Sequence, residues 1–171
     1  FRYGHQQTGG VGHGEGEETL VELVEALRSG TAEDLRCVRG ISFCQGEETV
    51  FTGWRQPLPD LDRLPLPAYD LLPIHRYGAG SHNHPALGAI ELSRGCPHAC
   101  DFCVLWRQMG QGTRLTPLLR TKSPLRVLEE IRLLIRRYGR RYLGWVDPCF
   151  NAHPHVPAEL EDAVPRHAGQ D

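Results

Sequence analysis

The sequence lacks any long apolar run. No segment of the 171 residues approaches the roughly 20 consecutive apolar residues that a helix needs to cross a bilayer. Residues 1–16 are polar and glycine-rich, unlike the apolar segment of a secretory signal. These two absences argue against a membrane-spanning or exported protein, and they predict a cytoplasmic location.

The chain also lacks a strong charge of either sign. Its 19 basic and 21 acidic residues leave a formal net charge of -2, and 40% of the residues are hydrophobic. This composition is typical of a globular protein with one core of ordinary size. The chain begins at Phe1 without a methionine and ends soon after a predicted strand, so we expect it to be a piece of a longer protein.

Six cysteines are present, and three of them lie within eight residues of one another. That spacing is poor for disulfides and good for a metal, so reduced thiols are predicted. Cys37 and Cys44 are expected to be small buried hydrophobic residues. Cys149 follows Asp147 at the end of a predicted strand. Its side chain could face a functional site there, but a packing role is favoured.

The first part of the chain predicts a helix, a hairpin and a linker. Thr19 and Glu22 have the spacing of a capping box, and Gly30 is a stop signal for the helix. Residues 40–43 and 49–51 predict a hairpin with a connection of four or five residues. Five prolines between residues 57 and 73 favour an extended linker between two domains.

The second part predicts a βαβ unit. Residues 87–92 read as a buried strand that leads directly into the cysteines. Ser123 is a candidate N-cap, Pro124 a first helical residue, and Gly139 a stop. Residues 142–146 read as a second buried strand. Parallel strands joined in this way direct their carboxyl ends toward one site, and the cysteines lie at that end.

Residues 96–103, called the cysteine loop below, space their thiols as C-x-x-x-C-x-x-C. Three cysteine thiolates in a compact loop can hold one iron-sulfur cubane and leave its fourth iron open to a chelating ligand. The loop is preceded by Arg94 and Gly95 and carries an aromatic residue directly before its last cysteine. The segment therefore predicts a cluster-binding loop.

This pattern resembles the signature of the radical S-adenosylmethionine (radical SAM) superfamily. The resemblance implies a 4Fe-4S cluster held by Cys96, Cys100 and Cys103, with Phe102 shielding the cluster or facing the adenine. It also implies that S-adenosylmethionine binds the open iron and is cleaved to methionine and a 5′-deoxyadenosyl radical. No residue is identified as catalytic beyond these cofactor ligands.

A zinc loop is the alternative interpretation of the same residues. Three thiolates and the imidazole of His98 would suit tetrahedral zinc, as in a non-catalytic zinc-binding module. Structural zinc sites usually pair ligands from two separated knuckles, however, so the cluster is favoured.

The flanking segments resemble the cobalamin-binding branch of the superfamily. Residues 14–19 with the first helix are similar to the end of a cobalamin-binding domain, and residues 60–67 are similar to its linker to the radical SAM core. The motif Asp-x-His-x-x-Gly, whose histidine coordinates cobalt in many such domains, does not occur here. Cobalamin is therefore expected only in a full-length parent protein.

A basic stretch extends into the predicted helix and beyond it. Similar loops and helices occur in radical SAM tRNA methylthiotransferases, which makes a tRNA enzyme a second alternative. Glu129 and Glu130 lie within one turn of several of the arginines, however, so a solvated face is favoured and a nucleic-acid partner is not expected. The basic residues are Arg120, Lys122, Arg126, Arg132, Arg136, Arg137, Arg140 and Arg141. The histidines, which are read as exposed loop residues, are His82, His84, His153 and His155.

The predicted fold class is α/β, in three parts. Residues 1–35 would be the end of a cobalamin-type nucleotide fold, 36–83 a hairpin and proline-rich linker, and 84–171 the opening βαβ part of a partial parallel radical SAM barrel. The predicted activity is radical cleavage of S-adenosylmethionine, coupled to cobalamin-linked methyl transfer or rearrangement on an unknown substrate. A flavodoxin or ferredoxin is the expected electron donor.

Overall fold

The computed structural model describes residues 2–3, 6–7, 9–77, 86–106 and 118–152. By internal contacts the chain divides into two compact units, which are Phe1–Leu58 with Ala99–Pro117, and Pro59–His98 with Leu118–Asp171. The predicted domain limits at residues 35 and 83 stay predictions. In the described part of the chain, no helix is both long and apolar enough to cross a membrane.

The first unit is a small antiparallel sheet with two helices. Its elements are β1 (Arg2–Tyr3), β2 (Gln6–Gln7), β3 (Gly10–Gly12), α1 (Glu17–Ser29), α2 (Ala32–Cys37), β4 (Ile41–Gln45) and β5 (Glu48–Phe51). Strands β3, β4 and β5 form one antiparallel sheet in that order, and β1 pairs with β2. The core of the unit consists of Leu23, Ala26, Leu35, Val38, Ile41, Phe43 and Val50.

The predicted capping box of α1 is wrong. The helix begins at Glu17, its N-cap Gly16 makes no side-chain cap, and Gly30 is the C-cap as expected. Two glutamates in the first turn favour this earlier start because they interact with the positive end of the helix dipole. Thr19 therefore lies inside the helix, where its buried hydroxyl accepts a hydrogen bond from Arg55 Nε at 3.0 Å.

The predicted hairpin is present as β4 and β5, with a shorter connection than expected. Gln45 pairs with Glu48, so only Gly46 and Glu47 form the turn. Cys37 and Cys44 are exposed, which contradicts their expected burial. In β4 only Ile41 and Phe43 are buried, because the side chains of a strand alternate between its two faces.

The second unit contains the predicted βαβ arrangement. Its elements are β6 (Leu87–Ile90), β7 (Ser93–Cys96), β8 (Leu118–Thr121), α3 (Pro124–Tyr138) and β9 (Tyr142–Trp145). Strands β6 and β9 are parallel neighbours, with α3 lying between them in the sequence. The buried cluster of this unit comprises Ile90, Leu92, Val127 and Leu128.

Two strand limits differ from the prediction. The strand expected over 87–92 ends at Ile90, and a separate strand, β7, begins at Ser93 and pairs antiparallel with β8. The second strand ends at Trp145, and Val146 is 60% exposed. The β7–β8 pair escaped prediction because its partners are separated in sequence, and local patterns carry no information about such pairing.

Helix α3 follows its sequence signals closely. The Ser123 hydroxyl oxygen accepts from the Arg126 N–H at 3.2 Å, Pro124 is the first residue, and Gly139 ends the helix with φ +63°. This left-handed conformation suits glycine because it carries no Cβ.

The proline-rich segment is not simply extended. It contains the 3-10 turns Leu61–Arg63, Tyr69–Leu71 and Ile74–Arg76. Asp62 Oδ1 accepts from the Ser123 N–H at 2.8 Å, and the Leu64 carbonyl accepts from the Arg126 guanidinium. The segment therefore docks on the start of α3 instead of bridging open space.

Candidate functional site

The cysteine loop starts as a strand whose geometry depends on Gly95. Cys96 is the last residue of β7 and pairs with Leu118. Gly95 has φ +96°, and a Cβ built on it would lie 1.8 Å from the Leu118 carbonyl oxygen. No side chain fits at that distance, so a glycine directly before Cys96 is a steric requirement of the strand pair.

Asp147 holds the beginning of β7. It lies two residues beyond β9, and its Oδ1 accepts from the Leu92 N–H at 3.1 Å and from the Ser93 hydroxyl at 2.7 Å. The Ser93 N–H donates to the same oxygen. The sequence pattern predicts no role for Asp147, and its only signal is its position after a predicted strand.

The hydrogen bonds of Asp147 to Leu92 and Ser93 are called the Asp147 clamp below. Arg94, the next residue along the chain, is also held by a side-chain contact. Its Nε donates to Glu91 Oε1 at 2.7 Å, and both side chains are partly buried. The arginine that precedes the cysteine loop in sequence thus forms a local ion pair. The short connection between β6 and β7 is tied by these side chains.

The second half of the cysteine loop is held by the Cys100 carbonyl. This oxygen accepts from the Cys103 N–H at 3.0 Å and from Trp106 Nε1 at 3.1 Å. Trp106 is 7% exposed, and its role was missed because a lone tryptophan after the loop carries no recognisable pattern. Phe102, the expected shield of the cluster, is 93% exposed.

The three predicted ligands carry free thiols. Cys96 and Cys103 are half-buried and Cys100 is exposed. Among the residues that the structure describes, no group of three or more His, Cys, Asp and Glu side chains is close enough to hold a metal ion. The donor set fits an iron-sulfur cluster by its chemistry, since three unpaired thiols lie in one short loop, but their convergence on a cluster stays a prediction.

A buried ion pair joins α3 to the end of β8. Lys122 Nζ lies 3.1 Å from Glu130 Oε2, and the side chains are 10% and 4% exposed. The Tyr69 hydroxyl donates to Glu130 Oε1 at 2.9 Å. Burial raises the pKa of Tyr69 far above its ordinary value, and the hydrogen bond to Glu130 adds to the shift. The tyrosine therefore stays protonated and donates its hydroxyl hydrogen to the Glu130 carboxylate.

The basic stretch is only partly a solvated face. Arg132, Arg136, Arg137 and Arg141 are exposed, and Arg126 pairs with Glu129 at 3.0 Å as their three-residue spacing predicted. Arg120, Lys122 and Arg140 are buried, which corrects the expectation for those three. They flank α3 instead of lying on it, so helical periodicity did not apply to them.

The other candidate residues are His98, which lies inside the cysteine loop, Cys149 and four further histidines. His98 is exposed and Cys149 is half-buried. The histidines at positions 82, 84, 153 and 155 lie outside the described residues.

Relatives of known name match most of the chain. The chain is 33% identical over 131 residues to the anaerobic magnesium-protoporphyrin IX monomethyl ester cyclase of Cereibacter sphaeroides. The aligned region covers 74% of this chain and 19% of that protein. It is 34% identical over 140 residues to an uncharacterized methyltransferase of Pyrococcus horikoshii, covering 82% and 28% respectively. The chain thus spans between a fifth and three tenths of the length of these relatives.

Solved structures agree with the fold. The radical S-adenosylmethionine methyltransferase TsrM of Kitasatospora setae superposes with a TM-score of 0.60 at 21% identity, over 90% of this chain and 28% of TsrM. A second structure of TsrM, with cobalamin and a 4Fe-4S cluster bound, gives a TM-score of 0.58. No model of a known protein family matches the sequence.

The cysteine loop, the βαβ unit that carries it and these relatives point the same way. The chain belongs to the radical S-adenosylmethionine superfamily, together with the cyclase and methyltransferase relatives that it matches at 33% and 34% identity.

Proposed function

We propose that the protein binds a 4Fe-4S cluster through Cys96, Cys100 and Cys103 and cleaves S-adenosylmethionine reductively. When bound, the cluster supplies the electron that converts S-adenosylmethionine to methionine and a 5′-deoxyadenosyl radical. Three ligands from one loop leave one iron open for the amino and carboxylate groups of that substrate. Phe102, exposed and adjacent to Cys103, is available to cover the cluster.

One observation carries this proposal. Strand β7 ends in Cys96 and starts close to the carboxyl ends of the parallel strands β6 and β9. The direct hydrogen bonds between Asp147, just after β9, and Ser93, the first residue of β7, show this placement. In open parallel sheets and barrels, functional groups collect at the carboxyl ends of the strands. The first cysteine therefore belongs to the edge of the unit at which such proteins do their chemistry.

The reaction that follows cleavage is proposed from the relatives. A solved structure of TsrM carries cobalamin, and the relatives include an anaerobic magnesium-protoporphyrin IX monomethyl ester cyclase and an uncharacterized methyltransferase. We assign the whole protein to cobalamin-linked methyl transfer or rearrangement on an unactivated carbon of an unidentified substrate. A flavodoxin or ferredoxin would supply the electron.

Anaerobic reconstitution with iron and sulfide tests the cluster. The chain should take up about four iron atoms and show broad visible absorbance. Cys96→Ala, Cys100→Ala and Cys103→Ala should each lose most of this absorbance, whereas Cys44→Ala, an exposed thiol on the hairpin, should keep it. With reductant and S-adenosylmethionine, 5′-deoxyadenosine is the expected product.

The alternatives give different results in the same experiment. A colourless chain that binds one zinc tightly, and loses it in a His98→Ala variant, would replace the cluster with a zinc module. Loss of absorbance in Cys44→Ala equal to that in Cys100→Ala would show that the loop is not the ligand set.

A further inference from the structure

The side chain of Asp147 accepts several hydrogen bonds from the start of β7. Its Oδ1 and Oδ2 lie 3.1 and 3.2 Å from the Leu92 nitrogen, and Oδ1 also accepts from the Ser93 hydroxyl at 2.7 Å and from the Ser93 N–H. Ser93 is only 4% exposed, and Leu92 only 1%. One carboxylate thus serves two nearly buried backbone amides and a hydroxyl.

The position explains why a carboxylate is needed. The parallel ladder between β6 and β9 ends with the Val146 N–H donating to the Ile90 carbonyl at 3.0 Å. Beyond that bond the chain turns into β7, and the Leu92 and Ser93 N–H groups donate to the Asp147 carboxylate. Buried amides without an acceptor cost free energy, and a charged acceptor binds them more strongly than a neutral one.

The clamp lies close to the first cysteine. Ser93 and Cys96 are the two ends of the four-residue strand β7. The Cys96 end is fixed by the contact of Gly95 with the Leu118 carbonyl, and the Lys122 N–H donates to the Leu92 carbonyl at 2.9 Å. A shift of Ser93 is therefore transmitted along a short, paired strand to the backbone of Cys96.

We propose that Asp147 is a positioning residue for the cysteine loop, and that it sets the direction in which the Cys96 thiol faces the cluster. The role rests on the proposed cluster. It couples the carboxyl end of β9 to the loop without contact with the cluster itself. Groups that orient the ligands of a metal from outside its coordination shell commonly affect its retention.

The test replaces the carboxylate and keeps its shape. Asp147→Asn leaves one oxygen and turns an NH2 group toward the donors of Leu92 and Ser93. The matched control is Asp62→Asn, because Asp62 also accepts a backbone N–H in the same unit, from Ser123 at 2.8 Å, at the start of α3. Ser93→Ala removes a single bond of the clamp.

Three measurements on the full chain separate positioning from general stability. They are iron retention against a chelator after anaerobic reconstitution, the electron paramagnetic resonance spectrum of the reduced cluster, and amide exchange of residues 92–96 in the metal-free chain. Asp147→Asn should lose iron about tenfold more readily, change the spectrum and speed the exchange. Asp62→Asn should match the wild type in all three, and Ser93→Ala should fall between them.

The outcomes distinguish this role from the function on which it rests. A wild-type chain that holds no cluster overturns the proposed function and the role of Asp147 with it. A wild-type cluster with unchanged spectrum, retention and exchange in Asp147→Asn overturns the positioning role alone. Equal losses in Asp147→Asn and Asp62→Asn would reduce Asp147 to a general stabilising residue and overturn it as well.

Discussion

The two ends of the cysteine loop are held in different ways. Cys96 ends a paired strand. Its pairing partner Leu118 and Asp147, which binds the other end of that strand at Ser93, are far from it in sequence. Cys100 and Cys103 are fixed by hydrogen bonds that span three to six residues, with Trp106 as the outer donor. The first end should therefore depend on the stability of its whole unit, whereas the second should respond only to changes nearby.

The largest effect is expected when the buried ion pair in the unit that carries the first end is broken. Glu130→Leu leaves Lys122 buried without its partner and removes the acceptor of Tyr69. We expect a loss of about 3–5 kcal/mol in the free energy of unfolding, because an unpaired buried charge is strongly destabilising. Urea unfolding measures it. The double variant Lys122→Met with Glu130→Leu should recover most of the loss, and failure to recover would show that the charge is not the cause.

A smaller loss is expected from Gly95→Ala. The new Cβ meets the Leu118 carbonyl and the backbone has φ +96°, so β7 and β8 must separate at a cost of about 3 kcal/mol. Gly46→Ala is the matched control, since Gly46 has φ +65° and open space around it. It should cost about 1 kcal/mol from backbone conformation alone. Equal unfolding free energies for the two variants would contradict the steric requirement.

The smallest effect is expected at the second end of the loop. Trp106→Phe keeps an aromatic ring and removes the N–H that binds the Cys100 carbonyl. The free energy of unfolding should fall by about 1 kcal/mol. The amide exchange rate at Cys103 should rise, and the exchange rates in β7 should not change. Trp54→Phe, three residues beyond β5, should leave exchange in the loop unchanged. Faster exchange at Ser93 in Trp106→Phe would show that the two ends are coupled.

Much of the fold was predictable where the signals are local. Ser123, Pro124 and Gly139 set the limits of α3 through capping and backbone preference, and the structure confirms all three. The hairpin and the βαβ order were confirmed for the same reason. The capping box at Thr19 failed because a hydroxyl can bind neighbouring elements as well as its own helix, as the contact with Arg55 shows.

The features that hold the site were not predictable. Asp147 and Ser93 are 54 residues apart, and Tyr69 and Glu130 are 61 apart. Strand β3 is a run of Gly-Val-Gly without a β-prone pattern, and it is a strand only because β4 pairs with it. Propensity and periodicity describe neighbours in sequence, whereas these contacts arise when separate segments pack.

The sequence by itself determined the cysteine spacing, the limits of the long helix and membership of the superfamily, because each depends on residue types at short fixed distances. Only the tertiary structure decided which carboxylate binds the start of β7, which ion pair is buried and why no side chain fits at Gly95. Those properties depend on which distant backbone and side-chain atoms come within contact distance, and that is fixed when the chain folds.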